Sequence, residues 1–220
     1  MPINIDKYKE IIEELDSKNV RLIAVSKTKP IEDIIELQQL GQKDFGENYV
    51  QELVEKYEAI GNKVNWHFIG HLQSNKVKYI APFVRMIHSV DSLKLLQEID
   101  KQAKKNNRII DCLLQVYIAT EETKFGLDET EIATIINEVN NNKLPNISIK
   151  GFMAMASFTN DETLVRKEFQ LLRNIAATSN IKHQTLNIIC TGMSQDYKIA
   201  IDEGSNMVRI GSLLFGERKK

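Results

Sequence analysis

With 220 residues, 42% of them hydrophobic and 27% charged, the chain has the composition of a folded globular protein, neither disordered nor membrane-embedded. Its formal net charge of -1 gives no electrostatic footprint for nucleic acid, and no apolar run approaches the length of a membrane span. The opening residues MPINIDKYKE lack the apolar centre of a secretory signal, so no membrane partner and a cytoplasmic location are expected.

The predicted elements begin with an amphipathic helix, NIDKYKEIIEEL. Strand-like runs follow at RLIAVS (21–26), a weaker KDFG (43–46), WHFIG (66–70) and MIHSV (86–90). Four more follow at CLLQVYI (112–118), SIKGFMAMA (148–156), LNIIC (186–190) and MVRIG (207–211). Between them lie segments of helical spacing, among them IEDIIELQQLG, NYVQELVEKYEAIG, DSLKLLQEIDKQAKK and DETLVRKEFQLLRNIAA, several opened by Asp, Asn or Ser. Strand and helix alternate throughout, which implies parallel strands with crossover helices. Eight units in this length predict an α/β fold: a (β/α)8 TIM barrel with an additional N-terminal helix. No Pro/Gly/Ser-rich linker or composition shift interrupts residues 1–220, so one domain is expected. The competing architecture, a doubly wound open sheet, lacks its GxGxxG fingerprint after the first strand. Cys112 and Cys190 lie in apolar segments without a CxxC partner and read as buried reduced thiols.

The stretch "RLIAVSKTKP" places Lys27 directly after an apolar strand. In a barrel of this kind the C-terminal strand ends line the active site, so Lys27 points into a desolvated pocket, where burial disfavours the ammonium and frees the amine to attack a carbonyl. A pKa moved from about 10.4 to about 7.5 corresponds to roughly 4 kcal/mol, within the range known for buried lysines. The alternative is a lysine that snorkels out beside Lys29.

The C-terminal stretch "TGMSQDYKIAIDEGSNMVRIGSLLFGER" weighs against that alternative. Gly192 and Ser194 precede a helix-like segment, where Ser194 can be an N-cap beside free backbone N–H groups. Gly211, at the end of the eighth strand, admits close approach of a ligand, and Ser212 can cap the next turn. These loops follow strands seven and eight, where such barrels frequently bind phosphate. Arg209 shares the inward face with Gly211, and a buried guanidinium needs a partner such as a ring nitrogen or a carboxylate. A lysine for an aldehyde, a cup for a phosphate and an arginine for a pyridine nitrogen together describe pyridoxal 5'-phosphate (PLP) as cofactor.

The stretches "LIAVSKTKP", "FGENYVQE", "WHFIGHLQSNK", "TKFGL", "GFMAMA", "GMSQDYKIAI" and "GSNMVRIGSLLFGER" span Leu22 to Arg218. In that order they resemble the PLP homeostasis proteins, the YggS/PROSC family. The resemblance implies a barrel similar to the N-terminal domain of alanine racemase, with PLP held as an internal aldimine on Lys27. It implies that Ser194 and the backbone at Gly211 and Ser212 hold the phosphate and that Arg209 faces the pyridine nitrogen. By the same resemblance Asn48 and His67, at other strand ends, line the pocket. The chain departs from the commoner family pattern at His71 and at "ICTGMS", which touches pocket details only.

A fixed positive charge at the pyridine nitrogen disfavours its protonation and weakens the cofactor as an electron acceptor. The sequence ends at Lys220, directly after the eighth unit, so no second domain is expected to supply a racemase's second base. The resemblance therefore implies a monomeric PLP carrier in vitamin B6 supply, with PLP-dependent apoenzymes as its partners and no established catalytic reaction. The alternatives are a PLP-dependent amino-acid racemase or decarboxylase, and a Schiff-base aldolase in which Lys27 attacks a sugar phosphate directly.

The other candidates read as ordinary structure. His67 and His71 are four apart but lie in strand and turn without an HExxH glutamate, so no metal is expected; His88 is a barrel or pocket residue, and His183 sits in a polar loop. Ser74 and Asn75 in "QSNK" open a helix that could equally touch a ligand carboxylate. Lys124, after the fifth strand, is either a second pocket amine or a solvated loop lysine. Met153 and Met155 read as barrel packing, and Arg218, Lys219 and Lys220 as a solvated tail.

Overall fold

The computed structural model describes residues 3–121 and 125–216. Helix α1 (Ile5–Ser17) comes first, followed by β1 (Arg21–Val25), α2 (Ile31–Gln39), β2 (Asp44–Glu47), α3 (Val50–Ile60), β3 (Asn65–Phe68), α4 (Val77–Ile80), β4 (Met86–Val90) and α5 (Leu93–Lys105). The chain continues through β5 (Ile110–Gln115), α6 (Glu129–Asn140), β6 (Ile147–Met153), α7 (Glu162–Thr178), β7 (Ile188–Cys190), α8 (Tyr197–Asp202), β8 (Met207–Ile210) and α9 (Ser212–Phe215). The strands pair in sequence order, all parallel, and β8 returns to β1 through Leu22↔Val208 and Ile23↔Arg209, closing the barrel. The expected eight-stranded barrel with its extra leading helix is the observed fold.

Local chemistry explains the element boundaries. Helix α1 starts where the Asn4 side chain accepts from the Lys7 N–H, and it buries Tyr8, Ile11 and Leu15 at helical spacing. Asp128 and Glu131 form a reciprocal capping box that starts α6, and Asp161 caps α7 through the N–H groups of Thr163 and Leu164. Most of the apolar core lies between the barrel wall and the helices, where Phe45, Trp66, Phe68 and Phe152 are buried. The Trp66 indole N–H is satisfied at 3.0 Å by the Gly61 carbonyl.

Strand limits depart from the apolar runs in the second half of the chain. Strand β5 begins two residues before the expected run and stops at Gln115, and β6 stops at Met153, because beyond them the chain leaves the ladder to build the barrel mouth. A bulge skips Lys150 between the Cys112↔Ile149 and Leu113↔Gly151 pairs. The C-terminal loops also differ from expectation. Helix α8 starts only at Tyr197 with Asp196 at its N-cap, so Ser194 is not the cap; α9 follows Gly211 at its N-cap, and Ser212 makes no side-chain cap bond. Among the described residues no helix is long and apolar enough to cross a membrane.

Inside the barrel an apolar cluster of Ile23, Met86, Leu113, Met153, Cys190 and Met207 occupies part of the bore. Met153 is thus packing, as expected, and both cysteines are buried free thiols.

Candidate functional site

The barrel mouth opens into a cavity of about 1000 Å³ whose wall includes Lys27, Asn48, Ser194, Arg209, Gly211 and Ser212. Six of the seven residues singled out from the sequence therefore converge on one space. They come from the ends of β1, β2, β7 and β8, as a barrel that collects its chemistry at the C-terminal strand ends requires. Met155, from the segment after β6, also lines it.

His67 is the exception. Its side chain is buried, with Nδ1 2.8 Å from His88 Nε2 and Nε2 3.0 Å from Asp44 Oδ1, and it is not part of the cavity wall. In parallel strands alternate residues face inward, and His67 lies three residues before Gly70, inside the bore below the mouth; "WHFIG" alone does not fix that depth. His71, four residues on, is exposed and pairs with Asp91 at 3.1 Å, and His183 is exposed at a left-handed backbone position. Ser74 and Asn75 begin a short 3-10 turn that precedes α4. Lys124, Arg218, Lys219 and Lys220 lie outside the described residues.

The turn that carries Lys27 is braced from both sides. Ser26 Oγ donates to Glu47 Oε1 at 2.6 Å, and the Thr28 N–H donates to Glu52 Oε1 at 2.5 Å. Lys56 of α3 joins the two carboxylates, at 2.8 Å from Glu47 Oε1 and 2.7 Å from Glu52 Oε1, and its Nζ also donates to the Ser26 carbonyl at 2.7 Å. Thr28 sits at φ +62°, a left-handed conformation that these contacts hold in place. Burial pushes the Glu47 carboxyl above its ordinary value and outweighs the opposing pull of Lys56 and Ser26. Sequence reading passed over Glu47, Glu52 and Lys56. The available signal was the i, i+4 spacing of Glu52 and Lys56 on α3, which ordinarily marks an exposed pair.

The seventh and eighth loops are sewn together. Ser194 Oγ accepts from the Gly211 N–H at 3.3 Å, and the Arg209 N–H donates to the Gly192 carbonyl at 3.0 Å. Gly192 has φ +96°, and a Cβ there would stand 2.6 Å from Ala200 Cβ and 2.9 Å from Tyr197 Cα, so only glycine lets α8 pack this closely. Lys29 donates to the Phe215 carbonyl at 2.6 Å and ties the β1 loop to the end of α9. The Arg209 guanidinium is buried, with one amino group donating to the Ala154 carbonyl at 3.0 Å and the other approaching Cys190 Sγ at 3.8 Å.

Asn48 Oδ1 is buried in the cavity wall without a hydrogen-bond partner, an acceptor held ready for a donor on a ligand. With cationic side chains, a hydroxyl and loop N–H groups around one space, the wall is suited to an anionic ligand that also carries a hydrogen-bond donor.

Fold and site together define a ligand-binding (β/α)8 barrel with an amine at the end of its first strand. A family model described as alanine racemase, N-terminal domain, matches residues 3–219. The chain belongs to that family and, within it, to the pyridoxal phosphate homeostasis proteins. The pyridoxal phosphate homeostasis protein of Aquifex aeolicus (strain VF5) is 41% identical over 201 residues, which cover 90% of this chain and 87% of that protein. PipY of Synechococcus elongatus PCC7942, solved with PLP bound, superposes with a TM-score of 0.85 at 32% identity, covering 94% of this chain and 99% of that one. An alanine racemase of Clostridium difficile 630 shares the fold, with a TM-score of 0.75 at 16% identity over 100% of this chain and 59% of the racemase.

Proposed function

We propose that this protein binds PLP through Lys27 and acts in intracellular PLP homeostasis, holding and supplying the cofactor with no catalytic reaction of its own. One observation carries the reading: Lys27, Arg209, Ser194 and the Gly211–Ser212 loop share one cavity wall. The relatives support it, since PipY was solved with PLP bound and the relatives' name states a homeostatic role. When bound, PLP supplies an aldehyde that condenses with a primary amine, losing one water.

The chain's own residues fit each part of that ligand. Lys27 is the amine, and its braced turn fixes where the side chain starts. Ser194 and the backbone of Gly211 and Ser212 face the phosphate, Arg209 the ring nitrogen, and Asn48 offers its free acceptor to the ligand's edge. A guanidinium at the ring nitrogen keeps that nitrogen unprotonated, which favours carriage over carbanion chemistry. We take residues 1–220 as one domain that works as a cytoplasmic monomer and delivers PLP to PLP-dependent apoenzymes.

Absorption spectra of the protein incubated with PLP test this directly. A near-visible band in the wild type that is missing from Lys27→Ala is the expected result. Identical spectra for the two proteins, each that of free PLP, overturn it.

A further inference from the structure

Below the cavity, the barrel bore holds a file of polar groups drawn from five different strands. Asp44 of β2 meets His67 of β3 at 3.0 Å, and His67 meets His88 of β4 at 2.8 Å. His88 Nδ1 lies 3.5 Å from Cys190 Sγ of β7, and Cys190 lies 3.8 Å from the Arg209 guanidinium of β8. His67, His88, Cys190 and Arg209 are all buried, and sequence reading treated them as separate residues.

The ends of the file fix the direction of every proton in it. A guanidinium can only donate and a carboxylate can only accept. Starting at Asp44, a neutral His67 donates through Nε2–H and accepts at Nδ1. His88 must then donate through Nε2–H and accept at Nδ1. The only proton left to reach that nitrogen is the Cys190 thiol's, and the sulfur lone pairs turn to Arg209. In this arrangement both nitrogens of each imidazole and the thiol hydrogen have a partner. An extra proton on His67 would reverse the His88 tautomer, aim two donors at the sulfur and leave the thiol hydrogen without an acceptor in a dry interior, which is costly.

The charges around the file agree with this assignment. Burial above all, with the charges of Arg209 and Arg21 adding to it, pushes His88 well below its ordinary value, so it is neutral. Burial raises the Cys190 thiol despite the pull of Arg209, so it keeps its proton. Burial also opposes ionisation of Asp44, but hydrogen bonds from His67 and from Asn65 and the charge of Arg21 outweigh it and leave a carboxylate.

We propose that Asp44, His67, His88 and Cys190 form a positioning file for Arg209, with all its protons directed from the guanidinium toward Asp44. Arg209 is thereby held by two neutral acceptors, the Cys190 sulfur and the Ala154 carbonyl. The only carboxylate of the file stands two imidazoles away. The guanidinium is fixed in place while its charge stays directed at the ligand instead of being spent on a buried counter-ion. This role toward the ligand rests on the PLP reading; the direction of the file does not.

Long-range proton–nitrogen NMR of the histidine rings in the ligand-free protein tests the direction without any variant. Both His67 and His88 are expected as Nε2–H tautomers near neutral pH, and a His88 Nδ1–H tautomer overturns the proposal. The role is tested by PLP titration of Cys190→Ser, which keeps a donor and an acceptor, and Cys190→Val, which keeps neither. Affinity for PLP is expected to fall about 3- to 10-fold in Cys190→Val, with a shifted absorption band, and to stay within about 2-fold of wild type in Cys190→Ser. Equal affinity and equal spectra for the two variants overturn it. A wild type that takes up no PLP sinks the PLP reading and with it the role toward that ligand, while the tautomers still decide whether the file exists.

Discussion

Lys56 Nζ lies 2.8 Å from Glu47 Oε1 in the interior between α3 and the end of β2, with 5% and 0% of the two side chains exposed. Glu47 also receives Ser26, and Lys56 also binds the Ser26 carbonyl, so this ion pair sets the position of the residue immediately before Lys27. Removing one partner strands a buried charge. Lys56→Met is expected to lower the free energy of unfolding by about 3–5 kcal/mol in urea titrations, and adding Glu47→Gln to recover part of that loss. A double variant no more stable than Lys56→Met would show that the pair is not coupled.

The other side of the same turn hangs on Glu52. Glu52→Gln leaves the Thr28 N–H an acceptor but removes its charge, so the stability loss is expected to be modest, about 0.5–1.5 kcal/mol. Lys27 then sits on a looser turn, and the dissociation rate of PLP after dilution is expected to rise more than the stability loss alone implies. An unchanged rate would separate the Thr28 contact from the orientation of Lys27.

Gly192→Ala places a methyl group where Ala200 and Tyr197 leave 2.6–2.9 Å, at a backbone conformation that alanine rarely adopts. Helix α8 must move, and with it the loop that brings Ser194 to the Gly211 N–H. Weaker binding of inorganic phosphate, together with a lower melting temperature, is the expected result of competition binding and thermal unfolding measurements.

Stability should fall on acidification in two windows of the same sign. His88 is held well below 6.5 in the folded protein, so below about pH 6.5 the unfolded chain binds a proton that the folded chain refuses, and unfolding gains. Asp44 is held below 3.8, so its contribution is complete above that value and lost as pH falls through its folded pKa. Between pH 7.5 and pH 5.5 the wild type is expected to lose stability at up to about 1.4 kcal/mol per pH unit, and His88→Gln to show a flatter profile. Parallel profiles would mean that His88 takes up a proton in the folded state.

Much of the barrel was legible in the chain because each unit carries its own signal. RLIAVS, WHFIG and MIHSV are apolar runs bounded by helix starts, and the structure places strands within one or two residues of them. Ser194 was also legible, as a polar residue just past a strand end, and Asn48 through the family resemblance. The depth of a side chain was not. His67 reads like a pocket residue, but the stagger of neighbouring strands sets how far down the bore it lies, and only closure of the barrel fixes that stagger.

The sequence by itself determined the order of strands and helices, the placement of Lys27, Arg209 and the glycine–serine loops at one end, and, through its series of motifs, the family to which the chain belongs, because these depend on local pattern and spacing. Tertiary structure alone decided which buried charges share a partner. Lys56 looks like an exposed helix lysine until α3 lays it over Glu47, and Asp44, His67, His88, Cys190 and Arg209 become one file only when five strands curve around a common axis. Hydrogen bonds between residues far apart in the chain leave no periodic trace along it, whereas the burial that makes them necessary does.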